Sequence, residues 1–272
     1  MSDLLNTSQS TIKVFLESDQ SHQSISDCTK TFLFENPIQA NPGNTMLVQL
    51  TDFECPFSWY NVNSTNNTLH NFFTIPAQNY SATELLTQLS SQFAASSITV
   101  TYNTQTNKFT FTKASSFTLD MANSTCHRIL GFNPTSVLTG TSITSENMVD
   151  LLGDKAIYIR LGMNLPNIDS HGADTHIVQK IPIGVAPTEV ITYSNESAIK
   201  LMITDRHIEL LSVSLTDHEN RDLGGGSLNG LLWSMTLAFY FIQDRGDADL
   251  LNAPDTVDDR TSQLNQKLDE EE

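Results

Sequence analysis

The run His171-Gly172-Ala173-Asp174-Thr175-His176 places two imidazoles and a carboxylate within six positions. Those are donor types that a zinc or similar divalent ion takes. The H-E-x-x-H spacing of a helical zinc site is absent and no matching fourth donor is present, so the run reads as a solvated polar loop. Gly224-Gly225-Gly226 is the second candidate. It lies between two β-prone runs rather than between a strand and a helix, and no Lys-Ser/Thr follows it. It therefore reads as a flexible hairpin loop and not as a phosphate cradle.

Arg245-Gly246-Asp247 is a candidate receptor motif, because a cation and an anion flanking Gly is the pattern integrins recognise. In an Asp-rich stretch the competing reading is chance. Trp59, Tyr60 and Trp233 would stack on sugar rings if exposed. Trp233 sits on the bulky side of an alternating run, which favours the core instead. Asn-x-Ser/Thr sequons at Asn6, Asn63, Asn66, Asn79, Asn123 and Asn195 read as compositional in a chain rich in these residues. No catalytic set, cofactor motif or metal-ligand spacing emerges, and the chain reads as a non-enzyme.

The composition sets further bounds. The 272 residues carry 14 Lys+Arg against 31 Asp+Glu, a net charge of -17, and 17% are charged. So anionic a chain has no footprint for phosphate backbones, and residues 1–20 hold only Lys13 as a basic arm. Direct nucleic-acid contact is not expected. No apolar run reaches the roughly 18 residues of a membrane span, and Met1-Ser2-Asp3-Leu4-Leu5-Asn6 lacks a signal-peptide pattern. Cys28, Cys55 and Cys126 are too few and too far apart for a disulfide framework, which fits synthesis in the cytosol.

The elements that must position these residues are mostly strands. Residues 1–11 read as a flexible arm. Thr11–Leu16, Thr31–Phe34 and Met46–Cys55 are β-prone, with turn chemistry at Asn36-Pro37 and at Asn41-Pro42-Gly43-Asn44. Ser81 followed by Glu84 predicts a capping box, and Leu85, Leu86, Leu89 and Phe93 follow at helical spacing. Ile98–Tyr102, Lys108–Thr112 and Phe117–Leu119 are short strands, and a helical turn over Thr125–Leu130 closes on Gly131. Residues 135–150 read as a Ser/Thr-rich connector.

Strand signals return at Ala156–Leu161, Ile177–Ile183, Thr188–Tyr193, Ile199–Ile203 and Ile208–Thr216. In Leu231–Ile242, Trp233, Met235, Leu237, Phe239 and Phe241 share one face. Residues 244–272 hold ten acids against three cations, a net of -7, and no aromatic, so they read as an acidic disordered tail. The expected organisation is 1–11 arm, 12–66 first part of a jelly roll, 67–150 inserted α+β domain and connector, 151–243 second part, and 244–272 tail. The fold class is mainly β, a single jelly-roll β-sandwich with a small α+β insert.

Several stretches, taken in order, resemble one family. They are Pro56–Asn63, Ile75–Ser81 leading into the Leu-rich helix, Lys108–Thr112, Ile129–Phe132, Ser214–Asp217 and Leu231–Leu237. The sequence resembles the penton (vertex, minor capsid) proteins of virophages and polinton-like viruses over about residues 12–243. The resemblance implies a single jelly roll with an inserted upper domain. It also implies five copies closing each icosahedral vertex of a virion among double jelly-roll major capsid hexamers, with no cofactor. The acidic tail has no counterpart there. The competing reading is a β-sandwich receptor- or carbohydrate-binding spike or fibre protein, which would use the aromatics or the Arg245-Gly246-Asp247 triplet.

Overall fold

Alternation with period two, apolar inward and polar outward, organises most of the chain. The computed structural model describes residues 10–165, 176–195, 197 and 199–243. The first strands are β1 (Ser10–Glu17), the two-residue β2 (Gln23–Ser24), β3 (Thr29–Gln39) and β4 (Asn44–Pro56). An insert follows, holding β5 (Thr68–Leu69), β6 (Phe73–Thr74), α1 (Ala82–Phe93), β7 (Thr99–Asn103), β8 (Lys108–Asp120), α2 (His127–Leu130) and β9 (Val137–Thr144). The chain then returns through β10 (Ala156–Leu161), β11 (Ile177–Pro182), β12 (Val190–Ser194), β13 (Leu201–Ile203), β14 (His207–Thr216) and β15 (Ser234–Gln243).

Two antiparallel sheets face each other, in the orders β1-β15-β4-β12 and β11-β10-β14-β3-β2. β12 and β13 pair successive parts of β4, at Cys55 and Leu47 respectively, and act as two halves of one strand. Counting the main strands from one to eight gives 1-8-3-6 against 5-4-7-2, the order of a jelly roll. First and last strands thus lie side by side, with Val14 opposite Leu237. Met235, Leu237, Phe239 and Phe241 of β15 all point into the buried cluster between the sheets, with Trp233, Phe53 and Leu215.

A second buried cluster belongs to residues 62–143. α1 begins as its sequence predicts: Glu84 N donates to Ser81 Oγ (3.3 Å) and Ser81 N to Glu84 Oε2 (2.8 Å). Its apolar face, Leu85, Leu89 and Phe93, is buried. The Phe93 ring meets Phe72, Phe73 and Phe111 edge-on at 5.1, 4.9 and 5.6 Å between centroids. Three antiparallel strands in the order β7-β8-β9 complete the insert.

Four expectations need correction. The segment expected as a connector contains β9, whose Ser/Thr-rich sequence forms Thr–Thr cross-strand pairs with β8, such as Thr118–Thr139 at 2.8 Å. The two short runs at Lys108 and Phe117 form one strand, β8, with an irregularity between Thr112 and Phe117. The turn chemistry at Asn36-Pro37 is absorbed into β3 as a bulge opposite Ile208–Leu210. Pro37 lies between Leu33 and Ile38, the stretch of β3 with no register partner in β14, and beyond Lys30 and Thr31, where β2 pairs, so a residue without an N–H is tolerated there. Finally, Ser10 and Thr11 of the expected arm pair with β15. Residues 1–9 and the tail 244–272 lie outside the described residues.

Candidate functional site

Where β4 ends, Asn and Asp side chains stitch the insert to the sandwich. Asn61 holds three segments together. Its N–H donates to Asn79 Oδ1 (2.9 Å), its Nδ2 donates to the Tyr80 and Leu151 carbonyls (2.9 Å each), and its Oδ1 accepts from Tyr80 N (3.0 Å). Asn63 and Asn66 form tight local turns, with Thr65 Oγ1 donating to Asn63 Oδ1 (2.7 Å) and Asn63 N to Asn66 Oδ1 (2.8 Å). The side chains of three sequon residues, Asn63, Asn66 and Asn79, thus hold hydrogen bonds within the fold.

On the sandwich side, carboxylates fix the loop after β14. Asp217 accepts from the Glu219 and Arg221 amides and from both Nε (2.8 Å) and Nη2 (2.7 Å) of Arg221. Asp222 accepts from Ser26 Oγ (2.6 Å) and Thr29 Oγ1 (3.1 Å). Asp27 Oδ2 accepts from Leu228 N (2.9 Å), and its carbonyl accepts from Trp233 Nε1 (3.0 Å).

Between these walls lies a polar cleft of about 240 Å³, with Asn61, Arg128, Asp154, Asp217 and Arg221 among its lining. Burial is the main cause that raises the pKa of Asp154, and the Asp217 charge adds to it; the Gly224 amide, Arg221 and Arg128 offset only part. Ser124, Thr125 and His127 also line the cleft, and their side-chain hydrogen bonds run to backbone: Ser124 Oγ donates to the Asp120 carbonyl, Thr125 Oγ1 accepts from Thr68 N, and His127 Nδ1 lies 3.1 Å from the Ser124 carbonyl oxygen. The three thiols are buried and free, and burial pushes Cys55 and Cys126 up to about 12 and Cys28 also upward, so none is an ionised nucleophile at neutral pH.

The sequence candidates disperse. His171 and Asp174 lie outside the described residues, and His176 stands before β11 with Nδ1 2.7 Å from the Met163 carbonyl oxygen. Arg245, Gly246 and Asp247 also lie outside them. Trp59 and Trp233 are buried in the sandwich core, as the alternating run indicated for Trp233, and Tyr60 is left 36% exposed. The glycine run is not a free-standing hairpin loop. It sits in a short 3-10 turn with all three residues at positive φ, and a Cβ on Gly224 would collide with Trp59, one on Gly225 with Ser64 Oγ. These glycines allow the close approach that seals the seam.

Sequence reasoning missed the exposed apolar side chains. Phe15 is 73% exposed on β1, an edge strand of its sheet, while Met148 and Leu152 stand out of the segment after β9 at 59% and 73%. Val14, Phe15 and Leu16 are apolar at three successive positions, so alternation puts Phe15 on the opposite face from Val14 and Leu16 without saying which face is buried; that is set when β1 closes onto β15.

By fold, the chain is a single jelly-roll β-sandwich with an inserted α+β unit between its third and fourth main strands. No family model matches the sequence, and none of the curated proteins matches it. Among solved structures it is similar to the crystal structure of the mavirus penton protein, with a TM-score of 0.42 and 11% identity, over 86% of this chain and 100% of that one.

Proposed function

We propose that this chain is a structural capsid protein, five copies of which form the vertex of an icosahedral shell. It would be made in the host cytoplasm and built into the virion beside double jelly-roll hexamers of a major capsid protein. One observation carries the reading: a single jelly roll in which the insert leaves from one end only, between β4 and β10. That is the architecture the ordered motifs imply. In this reading residues 12–66 and 151–243 form the body and 67–150 the outward unit.

With the insert at one end, no described strand pairs the outer edge of β1 or of β11, and in this reading those flanks make the lateral contacts. A closed ring of five needs two different, complementary flanks on each copy. The edge strand β1, with Phe15 and Ile12 exposed, is one flank, and β11 of the opposite sheet is another. Each contact must bury at least about 1,000 Å² to hold. Negative-stain microscopy of the purified chain tests the reading. Five-fold rings are expected; three-fold spikes, or single particles at all protein and salt concentrations, would overturn it.

A further inference from the structure

Between α2 and the segment after β9 lies a groove of about 440 Å³, with Phe132, Pro134, Met148 and Leu152 forming its apolar part and Arg128 and Lys155 its cationic rim. Its walls are pinned. Gly131 caps α2 at φ +79°, its carbonyl accepts from Asn147 N (2.7 Å), and a Cβ there would meet the Asn147 and Met148 backbone. Asp150 accepts from Arg128 Nε (2.9 Å) and from Leu152 N (3.2 Å), so the turn that presents Met148 and Leu152 is set in advance. Arg128 and Lys155 also line the adjoining cleft, which adds Lys180, over the Tyr158 ring, together with Asp154 and Asp217. Arg128 is engaged by Asp150, so the positive charge left for a partner beside this exposed apolar surface is chiefly that of the exposed Lys155, which makes no ion pair with a described residue.

The chain itself contains a segment of the matching chemistry. Asp247-Ala248-Asp249-Leu250-Leu251-Asn252-Ala253-Pro254-Asp255 sets adjacent leucines between aspartates, in a stretch of net charge -7. Reach decides which copy supplies it. β15 ends at Gln243 opposite Asn44, whereas the groove adjoins the other end of the sandwich, where Ser234 pairs with Glu54 and Asn61 holds the Leu151 carbonyl. The strand alone separates these ends by about 30 Å at roughly 3.3 Å per residue. The seven residues from Gln243 to Leu250 span at most about 25 Å when fully extended. The leucine pair therefore falls short of its own groove.

We propose that the groove receives the Asp249-Leu250-Leu251 stretch of a second copy of this chain, the leucines against Met148 and Leu152 and the aspartates beside Lys155 and Arg128. The proposal goes beyond the vertex reading and needs only that two copies meet, in whatever number.

The test uses full-length protein carrying Leu250→Asp and Leu251→Asp, so that its own tails do not compete, and a fluorescent peptide of residues 244–259 followed by anisotropy. Saturable binding of one peptide per chain is expected, weakening as salt rises. Placing Leu250→Asp and Leu251→Asp in the peptide, or Leu152→Glu in the protein, should weaken it at least about tenfold. Leu152 is exposed, so an unchanged melting temperature will show that its variant folds. No binding, equal binding by a scrambled peptide of the same composition, or indifference to Leu152→Glu would overturn the proposal. Five-fold rings that still form when the peptide fails to bind would overturn this contact and leave the vertex reading standing.

Discussion

Asp154 stands where a charge is disfavoured, half-buried in the seam and facing Asp217. Its pKa is raised from the ordinary 3.8, so the folded protein holds this proton to higher pH than the unfolded chain does. Stability from this group is therefore present at acid pH and is lost as pH rises from the ordinary carboxylate value through the raised one. Asp154→Asn mimics the protonated form. It should melt higher than the native protein at pH 7, with the gap closing as pH falls below the carboxylate range; an equal or lower melting point at pH 7 would refute the assignment. Gly224 offers a second measurement at this scale. Gly224→Ala meets both a left-handed backbone, about 1–2 kcal/mol, and the Trp59 side chain, whereas Gly230→Ala meets the backbone term alone because nothing lies within 4 Å. Denaturant titrations should show Gly224→Ala as clearly the more destabilised of the two. The sequence exposed none of this difference, since both positions look like punctuation in a polar loop until the fold brings Trp59 alongside.

At the scale of elements, the readings that succeeded rested on local signals. Ser81 and Glu84 sit three apart, and Leu85, Leu89 and Phe93 repeat at helical spacing, so α1 is specified by a dozen neighbouring residues. β15 is equally plain, because Trp233 just before it and four bulky residues within it alternate on one face. β9 was illegible for the converse reason. Its Ser, Thr and Gly residues carry little apolar pattern, and it exists because β8 offers an edge to pair with. The two buried clusters give this level its test. Both tryptophans of the chain lie in the sandwich cluster, while Phe93 and α1 lie in the other. Phe93→Ala should cost about 3–5 kcal/mol through the cavity it leaves. On heating, helical ellipticity should be lost at lower temperature than in the native protein, while the tryptophan fluorescence transition moves less. A single transition shifted equally in both signals would mean that the two cores melt as one unit.

The whole molecule is a matter of which distant stretches meet, and here the sequence was informative in outline only. It indicated two β portions around an insert, but not that β1 lies against β15 or that Asp222 anchors Ser26 and Thr29 across nearly two hundred residues. Those pairings come from closing the sandwich, and the same closure leaves β1 and β11 as end strands of their sheets. Charge then governs association. A protomer of net charge -17 repels its like, and the range of that repulsion falls from about 30 Å at 0.01 M salt to about 8 Å at 0.15 M. In the proposed ring, apolar flank contacts through residues such as Phe15 would be little changed by salt, so assembly should strengthen as ionic strength rises. The proposed docking of Leu250 and Leu251 beside Lys155 would bring opposite charges together and should weaken over the same range. Sedimentation velocity between 0.01 and 0.15 M salt is expected to show larger species growing at the expense of protomers. Substituting Leu250→Asp and Leu251→Asp should reduce the assembled fraction most at the low-salt end. Sedimentation indifferent to ionic strength would show that like-charge repulsion does not limit how this chain associates.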